Sequence, residues 1–206
     1  MFLRKLAVVL ILPLSACLDV ETDVKIGEDE VITTATTMTL GRQLFDMVQA
    51  MGPQAGALCP ADSVRVESPE TVSCKINETL TVDEAIAEAA AAKSEDPFLG
   101  EMELVRLDEE RLKISVPLDF EKIEGMPAEL STDNPMFSLI ADGLAESEIV
   151  VRLRALEIES TNGAVSDDGT TVELVIPTLE ILQPSGTLPE TFDAVVKYRS
   201  CGLFGC

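Results

Sequence analysis

Histidine is absent from the 206 residues, which removes the commonest general base and metal ligand, and with it any Ser-His-Asp or Cys-His arrangement. Gly-x-Gly-x-x-Gly, Gly-x(4)-Gly-Lys-Ser/Thr and Gly-x-Ser-x-Gly are absent too. No cofactor is therefore expected. The side chains left for chemistry are carboxylates and thiols. Glu109/Glu110 and Asp167/Asp168 are adjacent acids of the kind a histidine-free hydrolase could use as paired carboxylates. Both pairs sit between runs that read as strands, where acids serve as solvated turn residues. Hydrolase carboxylates instead face each other across a substrate, and calcium requires roughly 6–8 oxygens. No metal site is expected from the thiols either, because Cys59, Cys74, Cys201 and Cys206 lack the repeated Cys-x(2–4)-Cys spacing of structural zinc.

The fifth thiol, Cys17, closes Leu14-Ser15-Ala16-Cys17. Arg4 and Lys5 precede the apolar run Leu6 to Leu12, which is far below the ~20 residues a spanning helix needs. Residues 1–16 thus read as a secretion signal, not a membrane span. The segment resembles the bacterial lipoprotein lipobox. That resemblance implies cleavage before Cys17, a thioether to diacylglycerol and acylation of the new amine. Leu18, standing where some lipoproteins carry Asp, resembles the mature end of those sent to the outer membrane. The implied location is the cell envelope, at the periplasmic face of the outer membrane, with the membrane a partner through the lipid anchor.

An oxidising compartment suits the remaining cysteines, which are even in number. Two disulfides are expected. Three pairings exist, and proximity favours Cys59 with Cys74 and Cys201 with Cys206. Composition supports an exported folded domain: 46% of residues are hydrophobic, while 37 acids face 15 basic residues for a net charge of −22. Such acidity repels nucleic acid and anionic lipid surfaces. About 190 residues follow the signal, enough for one domain over 17–206 and poor support for two.

The elements that would position these groups follow from periodicity. Leu18, Val20, Thr22, Val24 and Ile26 alternate with Asp19, Glu21, Asp23 and Lys25 as a half-buried strand. Gly27-Glu28-Asp29-Glu30 reads as the turn, and Val31 to Thr39 as the return strand. Leu40, Leu44, Met47, Val48 and Met51 fall on one helical face ended by Gly52-Pro53, and the stretch from Gly52 to Ser68 reads as loop. A short strand is expected from Thr71 to Asn77. Thr81-Val82-Asp83-Glu84 is a capping box opening a second helix. Glu101 to Leu107 and Arg111 to Leu118 form another hairpin, and Asn134-Pro135 opens a third, short helix. Glu148 to Ile158 reads as a strand with a bulge near Ala155. Asn162-Gly163 and Asp168-Gly169 read as turn dipeptides whose glycines tolerate positive φ. Val172 to Ile176 and Phe192 to Tyr198 complete the set. About seven strands and three helices predict an α+β domain, an antiparallel hairpin-rich sheet with about three packed helices.

Two stretches carry a further resemblance: Leu14-Ser15-Ala16-Cys17 through Thr39 with Gly41-Arg42-Gln43-Leu44, and Ile158 to Gly163 with Asp168 to Pro177. They resemble the LppM-type (DUF3153-like) group of bacterial lipoprotein domains. The resemblance implies a membrane-attached, sheet-rich domain that binds lipid or glycolipid. Met136, Phe137, Ile140 and Leu144, beside Pro127 and Pro135, are the candidate ligand-binding residues, since unbranched Met and broken segments adapt to acyl chains. The expected function is that of a non-catalytic envelope lipoprotein whose domain binds an envelope protein or a lipid. Its alternative is the histidine-free hydrolase.

Overall fold

The computed structural model describes residues 18–50, 59, 63–92, 103–118, 147–182 and 188–201. The opening hairpin is present as expected, with β1 (Leu18–Ile26) and β2 (Val31–Gly41) antiparallel from Leu18 opposite Leu40 to Ile26 opposite Ile32. Helix α1 (Arg42–Ala50) follows, then β3 (Val64–Glu67) and β4 (Thr71–Thr81). Helix α2 (Val82–Ala92) precedes the hairpin β5 (Glu103–Arg106) and β6 (Arg111–Pro117). The chain continues through β7 (Glu148–Arg154), β8 (Glu157–Thr161), β9 (Ala164–Val165), β10 (Thr171–Pro177), a short helix α3 (Thr178–Leu182) and β11 (Thr191–Lys197). One sheet runs β3-β4-β2-β1-β7-β10-β9, with β1 and β7 parallel; the other runs β5-β6-β11-β8.

This overturns the α+β expectation. The described residues form a β-rich structure of two sheets, with two helices longer than two turns and the five-residue α3. The third helix expected after Asn134-Pro135 lies outside the described residues. Three strand stretches run beyond what local periodicity predicts. Val64-Arg65-Val66-Glu67, inside the expected loop, is an alternating edge strand, and β4 runs on to Thr81. β2 extends through Leu40 and Gly41, because all eleven of its residues find partners on β4. A strand continues as long as its neighbour supplies a ladder, and helical spacing of apolar residues alone does not reveal that competition.

The main core lies between the sheets. Ile26, Ile32, Leu153, Val172 and Ile176 come from the larger sheet, Leu112, Ile114, Phe192 and Val196 from the smaller, and Val82 and Ala85 from α2. A second cluster of Leu40, Phe45 and Val72, with Leu18 and Met38 against it, sits at the opposite end of the long hairpin under α1. The phase change expected near Ala155 proves to be a change of sheet: β7 belongs to the larger and β8 to the smaller, joined through Ala155 and Leu156. The chain crosses back at Asn162-Gly163. Gly169 has positive φ (70°) as its turn requires, but Gly163 is not among the positive-φ glycines. Glycine is needed there for space, since a Cβ would lie 2.7 Å from Val172 Cγ2 and 2.9 Å from Phe192 Cε2.

Candidate functional site

The densest polar constellation among the described residues lies at the far end of the first hairpin. The turn after β1 is tight: the Gly27 amide donates to the Val31 carbonyl (2.8 Å) and the Glu30 amide to the Gly27 carbonyl (3.1 Å). To close it, Glu30 adopts φ of 62°, and it is the one non-glycine residue in the left-handed region among those described. That conformation is uncommon for a residue with a Cβ. It holds Glu30 at a junction. The Glu30 carbonyl accepts from the Val82 amide at the start of α2 (2.9 Å), and its carboxylate meets Arg106 Nη1 at 3.1 Å and Arg199 Nη1 at 2.7 Å.

Tyr198 stands at the centre. It continues the inward parity of Phe192, Ala194 and Val196 and is fully buried, so its hydroxyl must be satisfied inside the protein. Arg106 Nη1 donates to that hydroxyl (2.7 Å), and the hydroxyl donates to the Glu109 carbonyl (3.1 Å). The guanidinium carbons of Arg106 and Arg199 lie 6.0 and 5.9 Å from the Tyr198 ring centre. Burial pushes the phenol's pKa up, against the pull of Arg106. Burial draws Arg106 down, but its bonds to Asp83 and Glu30 prevail and hold it above its ordinary value. Thus β1–β2, α2, β5, the β5–β6 turn and the end of β11 are tied by one set of charges. Beside it opens a cleft of about 460 Å³, lined by Ile26, Gly27, Glu28, Asp29, Ala155, Leu156 and Tyr198, with Lys25 and Arg154 also on its wall. Lys25 and Arg154 are register partners on the parallel pair of strands.

Glu30→Ala should cost about 1–2 kcal/mol, discounted because the carboxylate is partly exposed. Glu30→Gly should cost less, since glycine takes positive φ without strain. Urea-unfolding midpoints of the two variants check the order, and a larger loss in Glu30→Gly would show that the turn is unstrained.

The paired acids do not converge on this cleft as a reacting pair. The Glu110 carboxylate accepts from the Cys201 amide and lies 3.5 Å from Lys197 Nζ; the Cys201 bond, then Lys197, holds it below the ordinary carboxylate range. Asp168 accepts from Ser166 Oγ (2.6 Å) and from the Thr170 amide (3.1 Å), and these bonds lower it as well. A general acid needs the opposite shift. Glu109 contributes its carbonyl, accepting from Tyr198 and from Arg199 Nε (2.5 Å). What these groups do is organise turns.

Cys59 and Cys74 are joined by a disulfide, with Cα atoms 5.4 Å apart. Cys201 is disulfide-bonded as well; Cys206 lies outside the described residues. So do Cys17 and the candidate ligand residues Met136, Phe137, Ile140 and Leu144. The Glu30, Arg106, Tyr198 and Arg199 group went unread in the sequence. The available signal was the single tyrosine at inward parity on the last strand, whose hydroxyl demanded a partner that nearby arginines could supply.

At the other end of β1, the Leu18 amide donates to Ser147 Oγ (2.9 Å). The carbonyl of this buried Ser147 accepts from the Thr178 amide (2.9 Å), so one residue, through its hydroxyl and its backbone carbonyl, fastens the starts of β1, β7 and α3. Among the described residues no helix is long and apolar enough to cross a membrane.

Fold and site together define a two-sheet β protein pinned at both ends of its first strand, by Ser147 at one and the Tyr198 cluster at the other. In fold it is similar to the folded domain of Mycobacterium tuberculosis LppM, solved by NMR, with a TM-score of 0.50 and 13% sequence identity over 90% of this chain and 92% of that one. At that identity the likeness is one of fold. No protein-family model matches the chain, and no curated protein matches it.

Proposed function

We propose that this is a non-catalytic bacterial envelope lipoprotein: residues 1–16 are removed, acylated Cys17 enters the membrane, and residues 17–206 form one tethered domain that binds an envelope protein or a lipid or glycolipid. The observation that carries the reading is the seating of Leu18. A lipobox-like cysteine is followed at once by a residue that begins β1, donates to Ser147 and packs against the Leu40, Phe45 and Val72 cluster. With no Gly/Ser linker between anchor and sheet, the domain sits against the bilayer at this end. The Tyr198 cleft then lies eight residues along β1, about 27 Å away at ~3.4 Å per residue, where a partner in the periplasm can reach it. The outer membrane is the assigned location, on the strength of Leu18 after the cysteine.

The test is Cys17→Ser. The variant should lose incorporation of a labelled fatty acid and move from the membrane to the soluble fraction, with circular dichroism unchanged. Membrane retention at the level of the unaltered protein would sink the anchor. The binding half is read separately. A delipidated domain should bind a fluorescent acyl probe with saturable stoichiometry, or recover one envelope protein from membranes in stoichiometric amount. If it does neither, the binding role fails.

A further inference from the structure

We infer that β3 is a self-association edge, through which two copies of this chain pair antiparallel about a twofold axis at Val66. β3 pairs with β4 on one side and ends the larger sheet among the described residues. Its Val64 and Val66 are 62% and 49% exposed, the most open of the large apolar side chains among the described residues. A sheet edge of this kind offers free amides and carbonyls as a template for another strand.

The occupant is identified by charge. Arg65 and Glu67 point to the other face, where Arg65 lies 4.4 Å from the Phe45 ring centre, Arg65 Nη2 is 2.7 Å from Glu67 and Arg42 Nη1 is 2.5 Å from the same carboxylate. Antiparallel pairing centred on Val66 sets Val66 against Val66, and Arg65 of each copy against Glu67 of the other. Centring on Arg65 opposes two guanidiniums, and centring on Glu67 opposes two carboxylates. Like charges directly opposite are destabilising, so one register is selected. The other edges fit less well: β9 has two residues, β8 carries Glu157 and Glu159, and Arg106 of β5 is committed to the Tyr198 cluster.

A four-residue strand pair buries well under the roughly 1,000 Å² of a stable interface, so the pairing is weak and forms at high protein concentration.

The test uses the full chain purified and concentrated in detergent, carrying Val66→Cys and mildly oxidised. A crosslinked dimer mapped to position 66 is expected in several-fold excess over that from Val64→Cys, because Val64 meets Ser68 rather than itself. Equal crosslinking at the two positions, or none, overturns the inference. Adding Arg65→Glu or Glu67→Arg should each cut the crosslink about tenfold, and mixing the two variants should restore it, since Glu then faces Arg at both positions. A mixture that stays monomeric overturns the charge-coded pairing. The crosslink is read in detergent whether or not Cys17 is acylated, so its failure is distinct from failure of the Cys17→Ser fractionation.

Discussion

Tyr198→Ala should lower the unfolding free energy by about 3–5 kcal/mol, the range for deleting a buried aromatic ring. This is a large share of the roughly 5–15 kcal/mol that holds a domain together. The ring is fully buried in the main core beside Leu112, Val172 and Val196, one residue past the end of β11, so a cavity there loosens the contact between sheets. The hydroxyl should matter much less. In Tyr198→Phe, Arg106 Nη1 keeps the Glu30 carboxylate at 3.1 Å, and the Glu109 carbonyl keeps Arg199 Nε. Each partner of the lost hydroxyl thus retains another bond, and the expected cost is about 1 kcal/mol. Urea denaturation of both variants separates the contributions. Equal losses would mean that the polar cluster, not the packed ring, joins these elements.

That asymmetry bears on what the cleft beside Tyr198 can do. Its wall is rigid where Ile26, Ala155 and the tyrosine ring belong to the core, and charged where Lys25, Glu28, Asp29 and Arg154 face outward. The arginines nearest the ring are already paired with Glu30 and Asp83. A partner there would meet a preformed apolar notch with charges of both signs at its rim. A preformed shape with charges at its rim suits recognition, whereas Glu110 and Asp168, which lie off the cleft and are held below the ordinary carboxylate range by neighbouring donors, are poorly placed for proton transfer.

The strands with clean alternation were legible. The hairpins β1–β2 and β5–β6, and β11, follow from period two, and the capping box at Thr81 and Glu84 forms, with the Thr81 amide donating to Glu84 Oε2 (2.8 Å) and the Glu84 amide to Thr81 Oγ1 (3.2 Å). What escaped was non-local. Val64 to Glu67 is too short to stand out from a Gly/Pro-rich neighbourhood, and it becomes a strand because β4 offers an edge. The parallel contact of β1 with β7 joins residues more than a hundred positions apart. No local pattern encodes that, and it is the step that makes the first hairpin the middle of a seven-stranded sheet. Glu30 was read as a turn acid; its positive φ and its two arginines depend on where α2, β5 and the residues after β11 arrive.

Removing the bridge with Cys59→Ala/Cys74→Ala should cost about 3 kcal/mol, the chain-entropy value for a loop of this size, here a separation of 15 residues. The double variant is preferable to a reductant, because Cys201 is disulfide-bonded too and reduction would confound the two bridges. Cys74 is buried in β4, opposite Met38 of β2 and Arg65 of β3. The bridge therefore fixes the chain five residues ahead of Val64 to the strand that β3 must join. A four-residue edge strand with all its residues exposed has little packing of its own. If the disulfide acted only by restricting the unfolded chain, amides of β6 and β11 that exchange through global unfolding would lose protection in step with the lost stability, and amides that exchange through local opening would be unchanged. We expect more: amides of β3, which open locally, should also exchange faster in the variant. A loss under 1 kcal/mol, or unchanged local exchange in β3, would show that β3 holds its place without the bridge.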